Sequence, residues 1–182
     1  DSNVVISVTS GDTGEATVSA SSLTFTAANW DTPQTVTVTG VDDNIIDGNI
    51  NTTITMAVVD ASSDDNFDGV ANQTVTATTV DDDTAGFTLS KTTATVTEAG
   101  GTDTYTVVLD AQPDSNVVIS VTSGDTGEAT VSPATLTFTN GNWNSAQTVT
   151  VTGVDDTLAD GSQSTTITMA VVDASSDNNF DA

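Results

Sequence analysis

Whatever residues 1–69 fold into, this chain builds it twice. Residues 1–19 are identical to residues 114–132, and the continuation, to Gly69 and Ala182, differs at only 16 positions. The offset, from position 1 to position 114, is 113 residues. Solenoid units of roughly 20–50 residues need their neighbours to bury a core. A period of this length is instead that of a self-sufficient domain. The chain therefore reads as a window on a tandem array, cut in mid-repeat at both ends. Residues 1–83 would be a repeat without its N-terminal strands, and residues 84–182 a repeat without its C-terminal one. Near-identity between neighbours favours one repetitive task, such as spacing, over a specialised catalyst.

Within the repeat, apolar and polar residues alternate strictly. Leu23 and Phe25 alternate with Thr24 and Thr26, Val36 and Val38 with Thr35, Thr37 and Thr39, and Ile54, Met56 and Val58 with Thr53, Thr55 and Ala57. Period two with β-branched residues marks half-buried strands. A complete repeat reads as strands over 86–97, 102–110, 116–122, 129–139, 146–153, 164–172 and the equivalent of 72–80. Glycine-bearing turn signals separate several of them, at residues 99–101, 124–125, 140–141 and 160–161. Seven alternating strands in about 100 residues imply an all-β fold of tandem, seven-stranded, immunoglobulin-like antiparallel β-sandwiches.

Charge narrows the function. The chain has 26 acidic residues, one basic residue (Lys91) and no histidine, for a net charge of −25. That excess repels nucleic acid and anionic membrane surfaces. No apolar run approaches the roughly 18 residues of a membrane-spanning helix, so membrane insertion is not expected. With neither cysteine nor histidine, the chain lacks the usual ligands of zinc, copper and iron–sulfur centres. Its oxygen donors suit calcium or magnesium. A threonine-rich, cysteine-free array of near-identical repeats has the composition of a secreted bacterial surface protein. No pocket-forming aromatics accompany the paired carboxylates, and an active site copied in every repeat is not expected, so the chain reads as non-catalytic. Trp30 and Trp143, each after an asparagine at a turn, read as caps on the end of a core.

The acids are clustered. In an up-and-down path, successive loops alternate between the two ends of a sandwich. Parity then gathers Glu98, Glu128, Asp155, Asp156 and Asp160 at the end facing the next repeat. In the first repeat it gathers Glu15, Asp42, Asp43, Asp47, Asp81, Asp82 and Asp83. Unit charges 4 Å apart repel by ~1 kcal/mol in water and ~4 kcal/mol at an effective dielectric of 20. These acidic segments contain no lysine or arginine to offset that, whereas calcium, with six to eight oxygen ligands, turns it into coordination. A second acidic set, at the opposite end, contains Asp110, Asp114, Asp173, Asp177 and Asp181.

Three motifs together, Val-Asp-Asp-x3-Asp-Gly after a strand, Asp-Asp-Asp-x-Ala-Gly-Phe at the repeat junction and Val-Thr-Glu-x-Gly-Gly, give the repeat a sequence that resembles the Calx-beta domain. That family includes calcium-binding domains of sodium–calcium exchangers and many repeats of bacterial surface proteins. The resemblance implies Ca2+ ligation by Glu15, Asp42, Asp43, Asp47, Asp81, Asp82 and Asp83 in one repeat. In the other it implies ligation by Glu98, Glu128, Asp155, Asp156 and Asp160, with a backbone carbonyl at Ile45 or Leu158. The glutamate after the third strand departs from the aspartate often found there. Asp110, Asp114 and Asp173 would face the junction and add ligands. The expected role is a calcium-rigidified module of an extracellular adhesin or fibre shaft, whose partners are neighbouring repeats and other copies in a fibre. The same residues admit a glycan- or protein-binding adhesion module, or a self-assembling filament subunit.

Overall fold

The computed structural model describes residues 3–159 and 161–181. The fold is all-β, with every strand pairing antiparallel, and divides into two compact units. The first comprises Asp1–Asp43 and Asp47–Asp81; the second comprises Asn44–Ile46 and Asp82–Ala182. Among the described residues, no helix is long and apolar enough to cross a membrane.

The first unit contains β1 (Val4–Ser10), β2 (Ala16–Val18), β3 (Ser22–Phe25), β4 (Val38–Gly40), β5 (Ile50–Val58) and β6 (Gln73–Thr79). They form a four-stranded sheet in the order β3-β1-β5-β6 and a two-stranded sheet of β2 and β4. The second unit contains β7 (Phe87–Leu89), β8 (Thr102–Leu109), β9 (Val117–Ser123), β10 (Ala129–Ser132), β11 (Thr135–Phe138), β12 (Gln147–Gly153) and β13 (Ile167–Val171). Its sheets run β10-β12-β8-β7 and β11-β9-β13. Alternate residues of both sheets meet in one core: Tyr105, Val107 and Leu109 of β8 and Val149 and Val151 of β12, with Val117, Ile119 and Val121 of β9 and Leu136 and Phe138 of β11. This sandwich-like layering follows from the period-two pattern, since one face of each strand must find cover. Trp143 packs against this core.

Three strands differ from the sequence expectation. The strand expected over 129–139 breaks in two, with β10 pairing β12 and β11 pairing β9. The Ser132–Pro133 peptide bond is cis, and Pro133 has no N–H to give a ladder. Proline is not required for the break, because β2 and β3 part in the same way around Ala20. In both units the break lets the chain change sheets. Ala134 O accepts the Val121 N–H at 2.8 Å, as Ser21 O accepts the Val8 N–H at 2.8 Å.

The strand expected over 86–97 is regular only at Phe87–Leu89. Beyond it, the Asp103 carboxylate takes over the pairing, accepting from the Lys91 ammonium, from Thr95 N–H at 3.0 Å and from Thr104 N–H at 2.8 Å. The Lys91 hydrogen bond, supported by these amides, holds the Asp103 carboxyl down at about 2.

The third difference sits in identical sequence. Residues 34–40 and 147–153 are the same heptapeptide, yet only Val38–Gly40 forms a strand in the first unit, against all seven residues in the second. β12 lies between β10 and β8, whereas β4 has β2 alone. Among the described residues of the first unit, no strand pairs with β4 as β8 pairs with β12. Val151 is 3% exposed and Val38 37%. Leu136 and Phe138 are buried, while Leu23 and Phe25 are only partly so. Trp30 is 72% exposed.

Candidate metal centre

The end of the β2–β4 ladder sets the position of Glu15. Ala16 pairs with Gly40, so the next residue outward on each strand leaves the sheet at the same level. The Glu15 carbonyl accepts the Val41 N–H at 2.8 Å and the Thr79 hydroxyl, also at 2.8 Å. The chain before it is a tight turn, in which Asp12 Oδ1 accepts the Gly14 N–H at 2.9 Å. Hydrogen bonds from the residue after β4, from the end of β6 and within the preceding turn thus fix a half-buried glutamate where the acidic loop after β4 begins.

That loop brings Asp43 and Asp47 to Glu15. One carboxylate oxygen from each of the three lies within 4.8 Å of the others. Gly48, at φ +75, turns the chain through the left-handed region, where a side chain would be strained. Its N–H donates to Asp81 Oδ2 at 2.8 Å. The Asp81 N–H in turn donates to Asn49 Oδ1 at 3.1 Å. The acid that follows β6 is therefore tied to the loop that carries Asp47.

The electrostatics of the cluster are unfavourable as it stands. The Glu15 carboxyl is pushed above its ordinary value, first by desolvation and then by repulsion from Asp47, Asp12 and Asp43. An acid whose pKa is higher folded than unfolded stabilises the fold while protonated. That contribution is full below the unfolded value of about 4.3 and is lost as pH rises through the folded value. At neutral pH without metal, Glu15 therefore strains its own unit. Glu15→Gln is expected to raise the melting temperature of the metal-free protein at pH 7 and to change it little at pH 3. A lower melting temperature for the variant at pH 7 in chelator would contradict this sign. Three carboxylates at this spacing are chemically suited to a hard cation, because oxygens each ~2.3–2.6 Å from one calcium lie no more than about 5 Å apart.

The other expected ligands are placed as follows. Asp42 is exposed beside Asp43. Ile45 belongs to the second unit, where it forms an isolated parallel bridge with Gln112. Asp82, exposed, and Asp83, partly buried, also fall in that unit. Glu128 repeats the setting of Glu15, its carbonyl accepting the Val154 N–H at 2.9 Å. Asp155 is exposed, and Asp156 Oδ1 accepts the N–H of exposed Leu158 at 2.7 Å. Asp160, the counterpart of Asp47, lies outside the described residues. Glu98 is exposed and its carbonyl accepts the Gly100 N–H.

The second acidic set has local partners. Asp110 Oδ1 accepts the Thr88 hydroxyl at 2.7 Å. Asp173 opens a short 3-10 turn and stays exposed. Asp114 lines an open hollow with Ser115, Asp177, Asn178 and Asn179. Asp177 is 5% exposed and fastens its loop, accepting N–H groups from Ser115 at 2.8 Å and Asn179 at 3.0 Å. Burial pushes its carboxyl up, but the N–H groups of Asn179, Ser115 and Asp114 outweigh that and leave it below the ordinary value.

The sequence reading missed Asp12 as a member of the Glu15 cluster and Asn49 as the partner of Asp81. Asp12 stands in a Gly-Asp-Thr-Gly turn, and an aspartate bonding its own turn is a recognisable local signal. Neither a comparison with models of known protein families nor one with curated proteins gives a match.

Proposed function

We propose that this chain is a non-catalytic structural repeat that binds Ca2+ at its domain ends. In this reading it is a tandem array of seven-stranded, immunoglobulin-like, Calx-beta-like sandwiches from a secreted or surface-exposed bacterial protein. Calcium stiffens the array into an adhesin or fibre shaft, and its partners are neighbouring repeats and other copies in a fibre. The observation that carries the proposal is the convergence of Glu15, Asp43 and Asp47 at the end of one unit. Support comes from the link between Asp81 and Gly48, which brings the residue beside the repeat junction to the same loop. The near-identity of the copies also supports it, since a spacer needs many equal units. Binding to the folded state alone would couple stability to external calcium.

The test is small-angle scattering of the full chain. Calcium should narrow the distribution of interatomic distances, and chelator should broaden it again. The same distribution in both would contradict the stiffening role.

A further inference from the structure

We propose that the second unit carries, at Gln112 and Asn179, a docking site for a short extended Asn-Ile-Ile segment, and that Asn44–Ile46 fills this site as a plug on which the stability of the second unit depends. The proposal is independent of metal binding.

Residues 42–48 read Asp-Asp-Asn-Ile-Ile-Asp-Gly. A pair of adjacent isoleucines gains nothing from a solvated acidic loop and gains stability wherever it finds apolar cover. Both isoleucines are partly buried, while Asp43, Asn44 and Asp47 on either side are exposed. In sequence these residues stand between β4 and β5, yet Asn44–Ile46 belongs with Asp82–Ala182 in the second unit.

Three kinds of contact seat the segment there. The first is main chain. Ile45 forms a parallel bridge with Gln112, and the Gln112 N–H donates to the Asn44 carbonyl at 2.7 Å. Gln112 lies between the buried side chains of Ala111 and Pro113, and Pro113 has no N–H to offer a ladder. The second is apolar: Ile46 packs against the core that contains Phe138 and Phe180. The third is a clamp, in which Asn179 Nδ2 donates to the Ile46 carbonyl at 3.3 Å. The receiving loops are themselves braced. Gln112 Nε2 donates to the Asn140 carbonyl at 3.5 Å, and Asn140 Nδ2 to the Pro113 carbonyl at 3.4 Å. Main-chain pairing beside an apolar anchor is how an added strand is recognised. With only three residues in the segment, the Ile46 side chain and the Asn179 clamp set its register.

The experiment uses the 182-residue chain and reads hydrogen exchange by peptide. Chelator keeps cation binding at Asp43 and Asp47 out of the comparison. Ile46→Asp should speed exchange at least about tenfold over residues 111–112 and over β9 and β12, while β1 and β5 keep their rates. Ile46→Ala should act in the same places to a smaller degree, which keeps the test open if the aspartate unfolds the second unit outright. Asn179→Ala should speed exchange over residues 44–46. Both side chains act through one seat, so Ile46→Ala combined with Asn179→Ala should depart from the sum of the single effects at residues 111–112. Faster exchange confined to the first unit, or none at residues 111–112 in either Ile46 variant, overturns the proposal. So do strictly additive effects in the double variant.

Discussion

Phe138→Ala is expected to lower the unfolding free energy of the second unit by about 3–5 kcal/mol, the usual cost of emptying a buried phenylalanine site. Phe25→Ala, at the same place in the repeat, should cost less than half as much. Phe138 is 0% exposed and belongs to the core formed by β8, β9, β11 and β12. Phe25 is partly solvated in the folded protein, so truncation removes less buried surface and leaves a smaller void. A domain stable by roughly 5–15 kcal/mol would lose a large share to the first change. Hydrogen exchange resolved by peptide, with urea as the variable, reads the two units separately and needs no assumption that they unfold together. Equal costs at the two positions would contradict the asymmetry between the units.

That pair shows where sequence was enough. Leu23 and Phe25, like Leu136 and Phe138, are recognisably strand residues from their alternation with threonine, and all four lie in strands. Local pattern carries no information about what lies across from it. The identical heptapeptides at 34–40 and 147–153 end up with different strand lengths and different burial because only one has β8 beside it. The split between β10 and β11 was missed for a different reason. Alternation resumes beyond the break but out of phase, with apolar residues at odd positions up to Val131 and at even positions from Leu136, and that slip of one residue is the signal the single-strand reading passed over. Asp103 illustrates a third limit. The sequence analysis did not single it out, yet its bonds to Lys91 and Thr95 replace the ladder expected there.

The candidate site was legible in kind but incomplete in membership. Acids after separate strands had to share an end of the domain, and Glu15, Asp43 and Asp47 do lie together. Asp12 joins them electrostatically through turn geometry that parity does not address.

Calcium is expected to stabilise the first unit by about 2.7 kcal/mol when present at one hundred times its dissociation constant. Extracellular modules bind with constants of about 10⁻⁴–10⁻³ M, so ~10 mM calcium is enough at the tighter end of that range. The gain has a local signature. Exchange should slow most over residues 41–43, 47–49 and 79–81, which hold the acidic loop against the end of β6 through Asp81 and Gly48. Chelator should reverse it. Glu15→Gln should lose most of it, although the same variant is the more stable protein when metal is absent. Magnesium, which demands compact octahedral geometry and releases water reluctantly, should substitute poorly. Slowing spread evenly over both units would point to general charge screening instead of a bound ion.

The most direct test is a calorimetric calcium titration of the full chain beside a variant carrying Glu15→Gln, Asp43→Asn and Asp47→Asn. Binding at the Glu15 cluster predicts that the wild type takes up calcium at submillimolar to millimolar concentration and that the variant binds one ion fewer per chain. Equal numbers of ions bound by the two proteins, or no binding by the wild type at several millimolar calcium, would contradict it.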